Sequence, residues 1–125
     1  MRMNDFTFFY GKDMYPPELV KYVAKLAKYI CDKGGEDVEL GITTGTSYHD
    51  TQMSSEAMYR LTKDFCDVEK IAASHEDIED MGISAFFDEK IHLFNFGVSG
   101  VYVQIENDSE KEAKALFDEY VKILS

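Results

Sequence analysis

Residues 83–105 constrain the fold more than any other part of the chain. Three short runs rich in β-branched and aromatic residues, 83–87, 91–96 and 101–105, are separated only by Asp88-Glu89-Lys90 and by Gly97-Val98-Ser99-Gly100. Connections this short join antiparallel neighbours, because a parallel pair needs a crossover of about a dozen residues or more. The spacing therefore predicts a three-strand meander. Such a sheet has an apolar face to cover, and the sequence supplies a cover directly after it. Ser109 and Glu112 form a capping-box pair ahead of a helix whose Ala113, Leu116, Phe117, Tyr120, Val121 and Leu124 share one face.

The N-terminal half follows the same logic. Residues 6–10 (Phe-Thr-Phe-Phe-Tyr) read as a strand and residues 11–15 as the turn after it. Pro16, Pro17 and Glu18 open a first helix, where a missing N–H is harmless and a carboxylate meets the positive helix end. Leu19, Val23, Leu26 and Ile30 line its apolar face, Lys21, Lys25 and Lys28 its opposite face, and Gly34 and Gly35 stop it. Val38, Leu40 and Ile42 alternate as a half-buried strand. A polar loop is expected over residues 43–52. Ser54 or Ser55 then caps a second helix with Ala57, Met58, Leu61 and Phe65 on its apolar face, leaving Tyr59 and Cys66 outward. Residues 68–73 read as strand or loop, and Ser74 with Asp77 as the start of one short helix ended by Gly82.

The expected fold class is α+β: about five strands in a mixed, largely antiparallel sheet, with a parallel pair at its start, packed by three amphipathic helices in the order β-α-β-(loop)-α-β-β-β-α. If the polar stretch around Ser47 holds one more strand, the order after residue 15 becomes α-β-β-α-β-β-β-α. That order resembles the roadblock and profilin-like α/β/α sandwiches, a resemblance of topology that implies a small adaptor.

At 125 residues and 45% hydrophobic content, one domain spanning 1–125 buries a core without staples. Cys31 and Cys66 are distant in sequence and form no CxxC pair, so they read as free thiols rather than a disulfide framework or thiolate metal site. The first thirty residues hold no continuous apolar run, so a cytoplasmic protein without membrane contact is expected. The net charge of −11 is uneven: residues 1–33 carry +2 and residues 34–125 carry −13. That field opposes direct binding to nucleic-acid phosphates.

Two segments are the candidates for function. The first is the polar stretch, with Thr44, Thr46, Ser47, Tyr48, His49 and Asp50 as ligand-binding residues and His49 as acid or base. A hydrolytic triad of Ser47, His49 and Asp50 is rejected, because residues so close in sequence rarely reach opposite nitrogens of one imidazole. A phosphate cradle at the start of the second helix lacks the P-loop lysine. His49, His75 and His92 fall in three different elements without metal-ligand spacing, so neither metal nor cofactor is expected.

The second is the acidic run Glu76, Asp77, Glu79 and Asp80, joined by Asp88, Glu89 and the outward Tyr59. The competing reading is a solvated face that keeps the chain soluble. The leading expectation is a non-enzymatic protein-binding module or stoichiometric inhibitor, immunity- or anti-defence-like, whose acidic face docks a basic protein. The alternatives are a small-ligand binder or modest enzyme using residues 43–50, and a homo-oligomeric adaptor subunit.

Overall fold

The computed structural model describes residues 4–48 and 51–125, with side chains described outside 46–54. Its elements run β1 (Asn4–Gly11), α1 (Glu18–Asp32), β2 (Glu36–Tyr48), β3 (Thr51–Arg60), α2 (Val68–Ala73), β4 (Ile78–Phe87), β5 (Lys90–Gly97), β6 (Gly100–Asn107) and α3 (Glu110–Leu124). The strands form one six-stranded sheet in the order β1-β6-β5-β4-β2-β3, and every pairing is antiparallel. This is the α+β class, with one strand more than expected and no parallel pair. β1 adds to β6 at one edge, while β2 sits near the other edge between β3 and β4.

The meander β4-β5-β6, α1 and α3 lie where their patterns place them. Pro17 occupies the N-cap of α1, and Gly34 follows its end at φ +98°, with the Gly35 N–H reaching back to the Ile30 carbonyl at 2.9 Å. The Ser109 hydroxyl accepts a bond from the Glu112 N–H at 3.3 Å.

Three expectations between residues 43 and 82 are overturned. The polar stretch is not a loop, because β2 continues to Tyr48 and pairs with β3 from Tyr48↔Thr51 back to Glu39↔Arg60. The second helix does not exist, since its residues form β3. The apolar positions Ala57, Met58, Leu61 and Phe65 fit a helical period, yet pairing with β2 puts Ala57 and Met58 on opposite sides of the sheet, and Leu61 and Phe65 follow the end of β3. The short helix lies earlier, at α2, where the Asp67 carboxylate accepts from the Lys70 N–H at 3.0 Å. Asp77, at φ +54°, ends any helical path before β4 begins.

The order after residue 15 is thus α-β-β-α-β-β-β-α, but the layers are not those of an α/β/α sandwich. α1 packs on both α2 and α3 and also meets β2, β4 and β5, while α3 covers β1 and β6. All three helices form one layer. Leu40, Ile42, Met81, Ile83, Phe94, Phe96, Val103 and Ile105 point into it from the sheet and are 0–2% exposed, meeting Leu19, Leu26, Ile30 and Tyr120 from the helices. Among the described residues the other side of the sheet carries no helix.

Asp88 and Glu89 join β4 to β5 with φ of +51° and +66°, the signature of a two-residue type I′ turn. Neither is glycine, and the left-handed region costs roughly 1–2 kcal/mol for a residue with a Cβ. Replacing the pair with Asn-Gly (Asp88→Asn with Glu89→Gly) is expected to raise the unfolding free energy by about 1 kcal/mol in urea titrations.

Candidate functional site

The helix-free side of the sheet brings exposed apolar side chains and carboxylates together. Register places Phe9, Tyr102, Asn95, Gly82, Gly41 and Met58 in one row across all six strands. The row begins with a tilted Phe9–Tyr102 ring pair, centroids 4.6 Å apart, and ends in Met58. Phe9, Tyr102 and Met58 are 46%, 57% and 63% exposed. Between these high ends Gly82 and Gly41 face each other without side chains, so the middle of the sheet sinks into a shallow groove of about 340 Å³.

Charge surrounds that groove. Glu56, Thr43 and Asp80 form the neighbouring row on one side, and Arg60, Glu39 and Ser84 on the other. Glu39, Glu56 and Asp80 all line the groove. Arg60 is the only cation that register places on this side among the described residues, and it pairs with Asp37 at 3.5 Å. A second depression adjoins the first through Asp80 and Asn95, and reaches Phe9 and Tyr102 past Glu79. The result is an apolar trough with acidic flanks, where aromatic and methionine side chains stand in water.

The predicted acidic residues do not form one patch. Glu79 and Asp80 stand at the start of β4 on the rim of this surface, with Glu76 and Asp77 in the turn before it. Asp88 and Glu89 occupy the turn at the far end of the same strand, roughly 30 Å away at about 3.3 Å per residue. Tyr59 is not on an exposed helix face. It is half-buried on the helix side of the sheet, and its hydroxyl lies 2.6 Å from His75 Nε2.

The alternative site is a hairpin. Thr44 Oγ1 and Ser55 Oγ bond across β2 and β3 at 2.6 Å. Thr46, Ser47 and Tyr48 are in β2 opposite Met53, Gln52 and Thr51, and His49 and Asp50 lie outside the described residues. No helix follows this stretch, so the phosphate cradle at a helix start is not formed. Among the described residues no group of three or more His, Cys, Asp or Glu is arranged to hold a metal ion. The groove itself escaped the sequence reading, because Gly41 and Gly82 become neighbours only through the β2–β4 register.

Two further side-chain pairs lie on the helix side, one buried and one partly so. His92 on β5 is 3% exposed, and its Nδ1 lies 2.8 Å from the Tyr120 hydroxyl of α3. Burial, reinforced by Lys33 and Lys90, pushes the imidazole down to about 4, and burial raises the Tyr120 phenol, so both stay neutral near pH 7. Cys31 at the end of α1 and Cys66 ahead of α2 are free thiols that come within hydrogen-bonding reach of each other. Burial and then the Cys31 thiol push Cys66 up to about 12, and burial also raises Cys31. Both pairs tie helices into the core and stand away from the trough.

Compared with protein-family models, curated proteins and solved structures, the chain finds no match in any of the three.

These environments fix two measurable behaviours. The His92 imidazole titrates near 6.5 when unfolded and near 4 when folded, so its contribution is complete above pH 6.5 and is lost as pH falls toward 4. Urea titrations are expected to show a loss of about 3 kcal/mol across that window from this residue, and His92→Gln removes that part of the slope. Because the thiolate is the reactive form, Cys66 at pH 8 should react with iodoacetamide at least about tenfold more slowly than an unhindered thiol, as read by mass spectrometry.

Proposed function

We propose that this protein acts by stoichiometric contact, as a binding module or inhibitor that docks a basic protein against its helix-free sheet face. The observation that carries the reading is the trough across that face: exposed Phe9, Tyr102 and Met58 stand around a floor of Gly41 and Gly82. Glu39, Glu56 and Asp80 flank it. A one-sided antiparallel sheet ordinarily turns polar residues to water. Large apolar groups flanked by carboxylates, with the one neighbouring cation, Arg60, paired to Asp37, suit a partner with an apolar ridge and cations beside it. Glu79 and Asp80 belong to this docking surface, Glu76 and Asp77 steer from its margin, and Asp88 and Glu89 lie outside it.

The glycine floor separates binding from folding. Neither Gly41 nor Gly82 has a positive φ, so neither needs glycine for its backbone. A Cβ on Gly41 would meet first the flexible Met58 sulfur, at 3.1 Å. A glycine in a strand interior costs roughly 0.5–1 kcal/mol against alanine, and the Met58 side chain that an added Cβ would meet is exposed and free of core packing, so a larger residue here is expected to fill the trough at little cost to the fold.

Immobilised protein in lysate from its native host is expected to retain a basic protein at low salt and release it at high salt, with affinity falling at least about tenfold. Gly41→Val should abolish retention with a melting temperature close to the parent's, and the triple variant Glu39→Gln, Glu56→Gln, Asp80→Asn should weaken it. Retention unaffected by Gly41→Val, or indifferent to salt, contradicts the assignment.

A further inference from the structure

The opposite rim of the molecule offers a second and different surface. β1 is an edge strand, paired to β6 through eight consecutive residues without a bulge. Exposed edges present a row of unpaired backbone N–H and C=O groups. Folded proteins usually blunt them with lysine, proline, a bulge or a covering segment. β1 has none of the first three: its sequence is Asn-Asp-Phe-Thr-Phe-Phe-Tyr-Gly, with Asp5 its only charge. Among the described residues no element pairs with its outer side. Apolar groups flank the edge on both faces. Phe6, Phe8 and Leu116 are half-buried on the helix side, and Phe9 is exposed on the other.

We propose that β1 pairs with β1 of a second copy of this chain, about a two-fold axis perpendicular to the sheet, to give one continuous twelve-stranded antiparallel sheet. Charge selects a second copy over the basic partner of the trough. The chain is −11 overall, yet residues 6–11 are uncharged and the Lys114 ammonium over the Phe8 ring is paired with Asp118, so β1 offers a basic protein no carboxylate beyond Asp5 to grip. Register supports self-pairing. An antiparallel pair joined about that axis sets residues of the same parity opposite each other, keeping both helix layers on one side. Centring on Thr7 places Thr7 against Thr7 and Phe6 against Phe8, pairings of the kind that stabilise sheets, and sets Asp5 against Phe9. Asp5 never meets Asp5. The interface is isologous and closes at two subunits, because each copy spends its one β1 edge.

Light scattering after size exclusion, at roughly 100 μM protein, is expected to give twice the 14.3 kDa chain mass. Thr7 is exposed and faces away from the helices, so Thr7→Lys should leave the fold intact while placing two ammonium groups at the seam, and weaken the dimer at least tenfold. Glu69→Gln, which makes the same change in net charge on exposed α2, should leave it dimeric. A wild-type mass of 14.3 kDa at that concentration overturns the proposal. So does a dimer that survives Thr7→Lys with an unchanged melting curve. If Thr7→Lys fails to fold, hydrogen exchange on the wild type decides: β1 amides gain protection as concentration rises if the edge is the seam, and exchange equally fast at every concentration if it is not. Gly41→Val should leave the mass unchanged, so the failure of the dimer and the failure of the trough as a partner site are read independently.

Discussion

The pairing of β2 with β4 holds the architecture together. It joins the β2–β3 hairpin to the β4-β5-β6 meander, two units that would otherwise each be small sheets with an unpaired edge. On the helix side that seam is densely apolar, with Leu40 opposite Ile83 and Ile42 opposite Met81, all four buried. On the other side the same seam sets Gly41 against Gly82 and offers no side-chain pair. One ladder thus serves as the centre of the core on one face and as the floor of an open trough on the other.

This asymmetry governs where function can reside. Placing all three helices on one side concentrates hydrophobic burial there, and the buried His92–Tyr120 contact fits α3 to the sheet without leaving an unpaired polar atom among the described residues. The opposite face then depends on the strands alone. Its aromatic and methionine side chains and its carboxylates contribute little to holding the molecule together. Substitutions there are expected to leave stability largely unchanged, whereas substitutions across the sheet from them disturb the core.

The parts of this fold that were legible in the sequence are those whose signals are local. The capping box at Ser109, the Pro-Pro-Glu opening of α1, the glycine stop at Gly34 and the short turns of the meander each specify their geometry within a few residues. The region from residue 43 to 82 was misread because its signals conflict. Ala57, Met58, Leu61 and Phe65 satisfy a helical period, but the threonines of β2 carry β propensity and the register with β2 decided the outcome. Asp77 and Asp88 take left-handed conformations that aspartate tolerates, which made turns of places that also resemble helix starts or acidic patches. The candidate site was the least legible element. Acidic residues could be counted in the sequence, but which of them flank a trough depends on pairings between strands far apart in the chain.

If the helix-free face receives a basic partner at the glycine-floored trough, amide NMR of the labelled protein with that captured partner shows it residue by residue. Shifts are expected to concentrate at Gly41, Thr43, Met58, Gly82, Asn95 and Tyr102, growing weaker as salt is raised. Shifts centred on α1 and α2, or on the turn at Asp88 and Glu89, with Gly41 and Gly82 unmoved, would contradict that reading.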